Sequence, residues 1–267
     1  MMKHTGAALA LIAVALLAGQ SHAAAQCADN REALGTSRVL TVNARRFPMV
    51  GRAQYRESLP LKRGEVVLTF DTGPSYPYTE TILKALAAEC VKATFFALGS
   101  NVVEDPQQVR RIVQEGHSIG AQTFNHVALT SLSPQEAKKE IETSIAALTS
   151  ALQGSATIGF FRAPMLELSP QLARDIISKG MMIWSLDVDS QDWNNTTEEQ
   201  IVDEVMKGLE QYGGGIVAMQ DIQPTTARAL PMLLARLKER KYKIVHVVSE
   251  QPQVNLGSKN VRAGRKQ

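Results

Sequence analysis

The chain has 267 residues, enough for one large α/β domain or two small ones, and its hydrophobic content of 44% excludes a largely disordered protein. Its 29 basic and 26 acidic residues leave a net charge of +3. Because the charges are balanced and no basic stripe with interleaved aromatic residues is present, nucleic-acid binding is not expected.

The first 23 residues have the pattern of a signal peptide. Lys3 and His4 precede an apolar run over residues 7–18, and small residues suited to cleavage follow at 21–26. The run is short for a membrane span, and an uncleaved anchor is the alternative. We therefore expect a periplasmic or secreted mature protein with no membrane span after cleavage.

Export bears on the two cysteines, Cys27 and Cys90. In an oxidising compartment, two cysteines in one chain can pair, and the bridge would join the N-terminal segment to the folded domain. Two buried free thiols are an equally good alternative on the sequence alone.

Both ends of the mature chain differ in pattern from its middle. Residues 24–60 are polar and irregular, with only short apolar pieces, and we predict an arm that wraps the domain. Residues 251–267 are polar and basic, and we predict a disordered tail.

Between them, strand and helix patterns alternate. The strand patterns are short apolar runs typical of buried parallel strands, at residues 65–70, 92–99, 117–122, 159–164, 181–189, 216–221 and 242–248. The helix patterns have apolar residues at helical spacing, at residues 78–88, 105–116, 133–152, 169–180, 196–215 and 225–241. Seven strands alternating with helices predict an α/β fold, a distorted (β/α)7 barrel of parallel strands over residues 61–250.

Unusual polar residues follow most of these strands, where a parallel barrel forms its active face. They are Asp71, His126, Arg162, Asp187, Asp189, Asp192, Gln220 and Asp221, with Trp193 close by. Any one of them alone would be read as a cap or a surface charge. Their repetition at strand ends favours a shared cleft.

Five short motifs occur in order: TFDTGP, GAQTFNH, FFRAP, DSQDW and MQD. With them the chain resembles the polysaccharide deacetylase family, the NodB-homology domain of carbohydrate esterase family 4 type, from about Leu61 to Val248. The family motifs read T-F-D-D-G-P, H-x-x-x-H, F-R-x-P, D-S-x-D-W and L-H-D. The resemblance implies a seven-stranded distorted barrel. It also implies metal-dependent, usually zinc-dependent, hydrolysis of the acetamide C–N bond in N-acetylated glycans such as chitin oligomers, peptidoglycan or an exopolysaccharide.

The resemblance also implies residue roles. Asp71 would be the general base, Arg162 its orienting partner and Asp189 the partner of the catalytic acid. His126 would be a metal ligand. The residues expected to contact substrate are Thr72, Gln122, Pro164, Trp193 and Gln220.

Three of these positions depart from the family. Thr72 and Gln122 replace a metal-binding Asp and His, and Gln220 replaces the His that acts as the acid. Thr and Gln are poor zinc ligands, and Gln does not act as a proton donor at neutral pH. His117 and His246 are predicted to be structural, which leaves no obvious replacement for the acid.

Three hypotheses follow for the function. The first is a deacetylase with a weakened or rearranged metal site, for example on Asp71 and His126. The second is a glycan-binding pseudoenzyme of the cell envelope. The third, a purely structural envelope protein, conflicts with the polar residues retained at the cleft.

Overall fold

The structure is a computed structural model that describes residues 27, 30–194 and 196–250. The predicted signal peptide, 1–23, and the predicted basic tail, 251–267, lie outside the described residues. Among the helices that are described, none is both long enough and apolar enough to span a bilayer.

The elements alternate over most of the chain. The strands are β1 (Thr36–Val42), β2 (Met49–Val50), β3 (Glu65–Asp71), β4 (Thr94–Ala97), β5 (Ser118–Ala121), β6 (Phe160–Phe161), β7 (Met182–Trp184), β8 (Val188–Asp189), β9 (Gly215–Gln220) and β10 (Lys243–Ser249). The helices are α1 (Tyr78–Ala88), α2 (Gly99–Glu104), α3 (Pro106–Gln114), α4 (Pro134–Leu152), α5 (Pro170–Ser178), α6 (Glu198–Tyr212) and α7 (Pro224–Glu239). Short 3₁₀ turns are at Leu129–Ser131 and Pro164–Leu166.

The strands form one curved sheet in which every described pairing is parallel. Seven of them follow one another in the order β8, β9, β3, β4, β5, β6 and β7. Strand β10 pairs with the first residues of β3, and β1 lies at the outer edge of β10. The predicted fold, a distorted (β/α)7 barrel with parallel strands, is confirmed.

The barrel strands are buried on both faces, which is why they read as continuous apolar runs. Strand β3 is buried from Glu65 to Phe70 and only Asp71, its last residue, is partly exposed. Inside the barrel, the ring of Trp184 packs against Phe96 and Phe160, with centroids 5.6 and 4.9 Å apart.

The arm, which the sequence predicted to be irregular, contains two strands. Residues 36–42 form β1, paired with β10, and residues 49–50 form β2, paired with β7. Strand β1 alternates half-buried and exposed residues because it packs on one face only. The pairing partners of both strands lie far along the chain, so no local pattern marks the contact.

Two further elements correct the predictions. The predicted strand 181–189 is two short strands, β7 and β8, with a linker at 185–187 between them. Helix α2 was not predicted. It is a single six-residue element directly after β4, too short to show a helical period.

Cys27 and Cys90 form a disulfide in the structure, with Cα atoms 5.7 Å apart. Cys90 follows α1, so the bridge joins the N-terminal segment to the end of that helix. Nearby, the backbone N–H of Leu34 donates to Glu89 Oε2 at 2.7 Å, and the N–H of Gly35 donates to the Glu89 carbonyl at 2.8 Å. The arm therefore has a covalent and a hydrogen-bonded attachment at this point.

Candidate active site

A cavity of about 450 Å³ opens at the carboxyl ends of the strands. All nine residues that the sequence predicted for catalysis, metal binding or substrate contact line it: Asp71, Thr72, Gln122, His126, Arg162, Pro164, Asp189, Trp193 and Gln220. The residues that follow separate strands therefore lie around one cavity, as the sequence predicted.

The most buried charged contact in the cavity is the pair Asp71–Arg162. Arg162 Nη1 donates to Asp71 Oδ1 at 2.7 Å and to Thr69 Oγ1 at 2.8 Å. Its Nη2 donates to the Ser185 carbonyl at 2.9 Å, and the guanidinium lies 4.3 Å from the centre of the Phe96 ring. Burial raises the pKa of Asp71, and the charge of Arg162 opposes that rise. The guanidinium thus fixes one oxygen of the carboxylate.

At the two altered metal positions, neutral side chains contact each other. Thr72 Oγ1 donates to Gln122 Oε1 at 3.4 Å, and both side chains are buried. Of the two ionisable side chains considered as metal ligands, His126 lines the cavity and Asp71 accepts a hydrogen bond from Arg162. Within the described residues, no group of three His, Cys, Asp or Glu side chains is arranged to hold a metal. The residues present do not fit an ordinary zinc site.

Residue 220 is a glutamine, so this position lacks the catalytic acid that the family has there. The Gln220 backbone N–H donates to Asp192 Oδ2 at 2.6 Å, and Gln220 Oε1 accepts from Gln223 Nε2 at 3.3 Å. Asp192 Oδ2 also accepts from Thr226 Oγ1 at 2.5 Å. Burial raises the pKa of Asp192 to about 6, although these hydrogen bonds oppose the rise.

The sequence assigned the role of partner to the side chain at residue 220 to Asp189. In the structure Asp189 and Asp192 both line the cavity, and Asp192 accepts from the backbone N–H of Gln220. Asp189 Oδ1 accepts from the Gln191 N–H at 2.9 Å, and Oδ2 lies 3.5 Å from Trp193 Nε1. Gln191 has a φ of 53°, and this left-handed residue turns the chain between the two aspartates. The motif DSQDW contains both residues, and both were among the polar residues that the sequence placed at this strand end.

Comparison with known proteins settles the family. Residues 59–184 match the sequence model described as polysaccharide deacetylase. The chain is 36% identical over 186 residues to the peptidoglycan-N-acetylglucosamine deacetylase PgdA of Listeria monocytogenes, covering 68% of this chain and 38% of that protein. It is 31% identical over 193 residues to a chitooligosaccharide deacetylase of Bradyrhizobium, covering 67% and 87%. The chain belongs to the polysaccharide deacetylase family.

Solved structures agree with this assignment. A peptidoglycan deacetylase of Bdellovibrio bacteriovorus superposes with a TM-score of 0.74 at 28% identity, covering 87% of this chain and 68% of that one. A mutant of BA3943, described as a carbohydrate esterase family 4 pseudoenzyme with restored enzymatic activity, superposes with a TM-score of 0.64 at 26% identity, covering 70% and 67%. The chain spans less than two fifths of the length of the Listeria relative.

Asp221 matches the Asp of the family motif L-H-D and directly follows Gln220, the altered acid position. Its Oδ1 accepts from the Gly73 N–H at 2.8 Å, and its Oδ2 accepts from Thr79 Oγ1 at 2.7 Å. Burial raises the pKa of Asp221 to about 7. Because a Cβ on Gly73 would lie 1.9 Å from Asp221 Oδ2, only glycine fits there. Asp221 holds the loop after β3 and is not among the cavity-lining residues.

Exposed apolar side chains form the rim of the deacetylase-family cavity. Met165 and Trp193 are 55% and 58% exposed, and Leu166 and Leu186 also line the cavity. Apolar and aromatic faces of this kind suit the apolar face of a sugar ring. The sequence identified Trp193 but missed Met165, Leu166 and Leu186, which lie in turns and linkers without a periodic pattern.

Backbone strain is concentrated around the same cavity. Thr72, His126, Met165 and Leu166 line it and have φ values of 79°, 56°, 50° and 61°. Left-handed φ values are uncommon for residues other than glycine and tend to cluster at ligand and active sites. The strain is independent support for a functional cavity.

Proposed function

We propose that this protein is exported and binds glycans with N-acetylated sugars of the peptidoglycan or chitin-oligomer type, without the metal-dependent turnover of its family. The observation that carries the proposal is the contact of Thr72 with Gln122, two neutral side chains at the positions of two metal ligands. Losing the metal removes the polarisation of the acetyl carbonyl and the activated water that such sites supply.

The polar groups of the cavity favour binding over a scaffold role. Gln122 and Gln220 each carry an amide that can donate and accept hydrogen bonds with hydroxyl or acetamide groups. Gln122 is 2% exposed and lines the cavity, and its Oε1 accepts from Thr72 Oγ1. Asp71 also lines the cavity, and Arg162 holds it through Oδ1.

The relatives support the glycan class. The Listeria relative is described as acting on N-acetylglucosamine in peptidoglycan, and the Bradyrhizobium relative on chitooligosaccharides. N-acetylglucosamine is common to both. The pseudoenzyme BA3943 is a precedent for a family member whose activity was restored by mutation.

The second candidate is a weak deacetylase. The preserved Asp71–Arg162 pair and the position of His126 at the cavity support it, since both match residues that work in the family. This candidate requires acetate release and metal binding by the natural sequence.

Calorimetric titration with the N-acetylglucosamine tetramer, with and without EDTA, tests the proposal. We expect saturable binding that EDTA does not change, together with no acetate release. The Gln122→Ala variant should lose affinity by about tenfold, the scale of one hydrogen bond to a ligand. Gln171→Ala, which removes an exposed glutamine outside the cavity, is the matched control. EDTA-sensitive binding with acetate release would favour the weak deacetylase, and absence of binding would refute the proposal.

A further inference from the structure

The barrel has a gap between its two terminal strands. Strand β7 ends at Trp184 and β8 begins at Val188, and within the described residues these two strands do not pair with each other. Strand β7 pairs with β6 and β2, whereas β8 pairs with β9. The linker at 185–187 therefore lies where a closed barrel would have a strand-to-strand contact.

The N-terminal arm supplies the hydrogen bonds that a neighbouring strand would otherwise supply. The Ile183 N–H donates to the Pro48 carbonyl at 2.9 Å, and the Ser185 N–H donates to the Val50 carbonyl at 2.7 Å. In the other direction, the Ala53 N–H donates to the carbonyl of residue 186 at 2.9 Å. Backbone groups buried in this gap would lack partners if the arm moved away.

The approach between arm and linker is close enough to require a glycine. Gly51 has a φ of 110°, and a Cβ there would lie 2.6 Å from the backbone nitrogen of Leu186. Any side chain at this position would push the arm away from the linker. By contrast, Gly64 has a φ of 82° but open space where its Cβ would be.

A buried carboxylate holds the next part of the arm. Asp187 Oδ1 accepts from the Arg52 N–H at 2.8 Å, while Oδ2 accepts from Ser58 Oγ at 2.7 Å and from the Ile216 N–H at 2.8 Å. Asp187 is 5% exposed and does not line the cavity. It connects the arm to β9 through the linker.

The linker in turn forms part of the cavity. The Ser185 carbonyl accepts from Arg162 Nη2 at 2.9 Å, and Leu186 lines the wall. Gln54 Nε2 also donates to the carbonyl of Leu166, a left-handed residue that lines the cavity. Segment 48–58 thus donates hydrogen bonds to two cavity-lining residues, Leu166 and Leu186, without lining the cavity itself.

We propose that arm segment 48–58 is a positioning part of the site, which closes the barrel gap and sets the positions of Arg162 and of the lining residues Leu166 and Leu186. The segment precedes residue 59, where the match to the family begins. The expected effect of segment 48–58 on ligand affinity rests on the proposed function, whereas its expected effect on the linker at 185–187 does not.

The comparison of Gly51→Ala with Gly64→Ala tests the proposal. Both variants place alanine at a left-handed φ, but only Gly51→Ala meets the linker. In hydrogen exchange of the native full-length protein, we expect the Ser185 amide to exchange about tenfold faster in Gly51→Ala, since one hydrogen bond is weakened. Gly64→Ala should leave that amide unchanged. Equal effects of both variants on the Ser185 amide, or no effect of Gly51→Ala, would overturn the proposal.

A second pair of variants addresses the contact of Gln54 with Leu166 and remains usable if Gly51→Ala does not fold. Gln54→Met keeps the side-chain length but removes the donor to Leu166, whereas Gln54→Lys keeps a donor of similar reach. We expect Gln54→Met to weaken binding of the N-acetylglucosamine tetramer about fivefold at an unchanged melting temperature, and Gln54→Lys to restore it. Equal affinities would contradict the positioning role of this residue. If the natural protein binds no tetramer, the proposed function fails while the exchange comparison still decides the role of the arm.

Discussion

Removing the charge of Asp71 should destabilise the fold because it leaves a buried guanidinium without its counter-charge. Arg162 is 1% exposed, and its only carboxylate partner within the described residues is Asp71 at 2.7 Å. In Asp71→Asn, Nη1 keeps an oxygen acceptor but loses the negative charge. The two remaining acceptors, Thr69 Oγ1 and the Ser185 carbonyl, are neutral.

The expected loss is about 3 kcal/mol of unfolding free energy. Removing one partner of a buried ion pair costs about 3–5 kcal/mol, and the lower end applies here because the Asp71 side chain is 15% exposed to the cavity. Arg162→Met should cost less, about 2 kcal/mol, because burial already raises the pKa of Asp71 and the lone carboxyl can take up a proton. In the double variant neither charge remains, so its loss should be smaller than the sum of the two.

Urea unfolding followed by circular dichroism at pH 7, with the disulfide intact, measures all four members of this cycle. The predicted coupling between the two sites is about 2 kcal/mol. Strictly additive losses, or an Asp71→Asn variant as stable as the natural protein, would show that the pair is not a buried, mutually dependent unit.

Three further predictions concern stability. Thr72→Asn should raise the unfolding free energy by about 1 kcal/mol, because Asn tolerates the φ of 79° better than a β-branched residue, and urea unfolding checks this. Burial lowers the pKa of His117 to about 3, whereas its pKa in the unfolded chain is near 6.5. The contribution of neutral His117 to the free energy of unfolding should therefore be fully present above about pH 6.5 and fall by up to about 1.4 kcal/mol per pH unit below it. His117→Asn, which keeps an acceptor for the Ala93 N–H, should flatten that fall, and an unchanged pH profile would contradict the assignment. Replacing Cys27 and Cys90 by serine should lower the unfolding free energy by about 2–4 kcal/mol, whereas an unchanged melting curve would show that the bridge constrains little.

The barrel could be predicted because its strands are buried on both faces and its helices carry strong end signals. Helix α4 begins with the capping box of Ser133 and Glu136, and α3 begins with Asp105 as N-cap and Pro106 at its first position. These signals are local, and the chain carries them in order. Strand ends then place the polar residues on one face, since all the strands are parallel.

The strands of the arm and the contact of Asp192 with the backbone of residue 220 could not be predicted, because both depend on contacts between distant parts of the chain. Strand β2 has two residues and acquires its structure only by pairing with β7. Asp192 accepts from the Gln220 N–H, 28 residues further along the chain, and the left-handed φ of Gln191 between the two aspartates is not specified by the letters DSQDW. Longer strands and capped helices could be predicted from local patterns, without knowledge of such contacts.

The most direct test of the central claim compares the natural protein with the triple variant Thr72→Asp, Gln122→His, Gln220→His. Zinc content and acetate release from the N-acetylglucosamine tetramer are measured for both, with Asp71→Asn added to the triple variant as a control for the base. We predict little zinc and little acetate from the natural protein, stoichiometric zinc in the triple variant, and a rate at least about 10²-fold higher there, the scale of general acid–base catalysis alone. Stoichiometric zinc and full turnover by the natural protein, with nothing added by the triple change, would contradict the claim that the fold has kept the site and lost its metal chemistry.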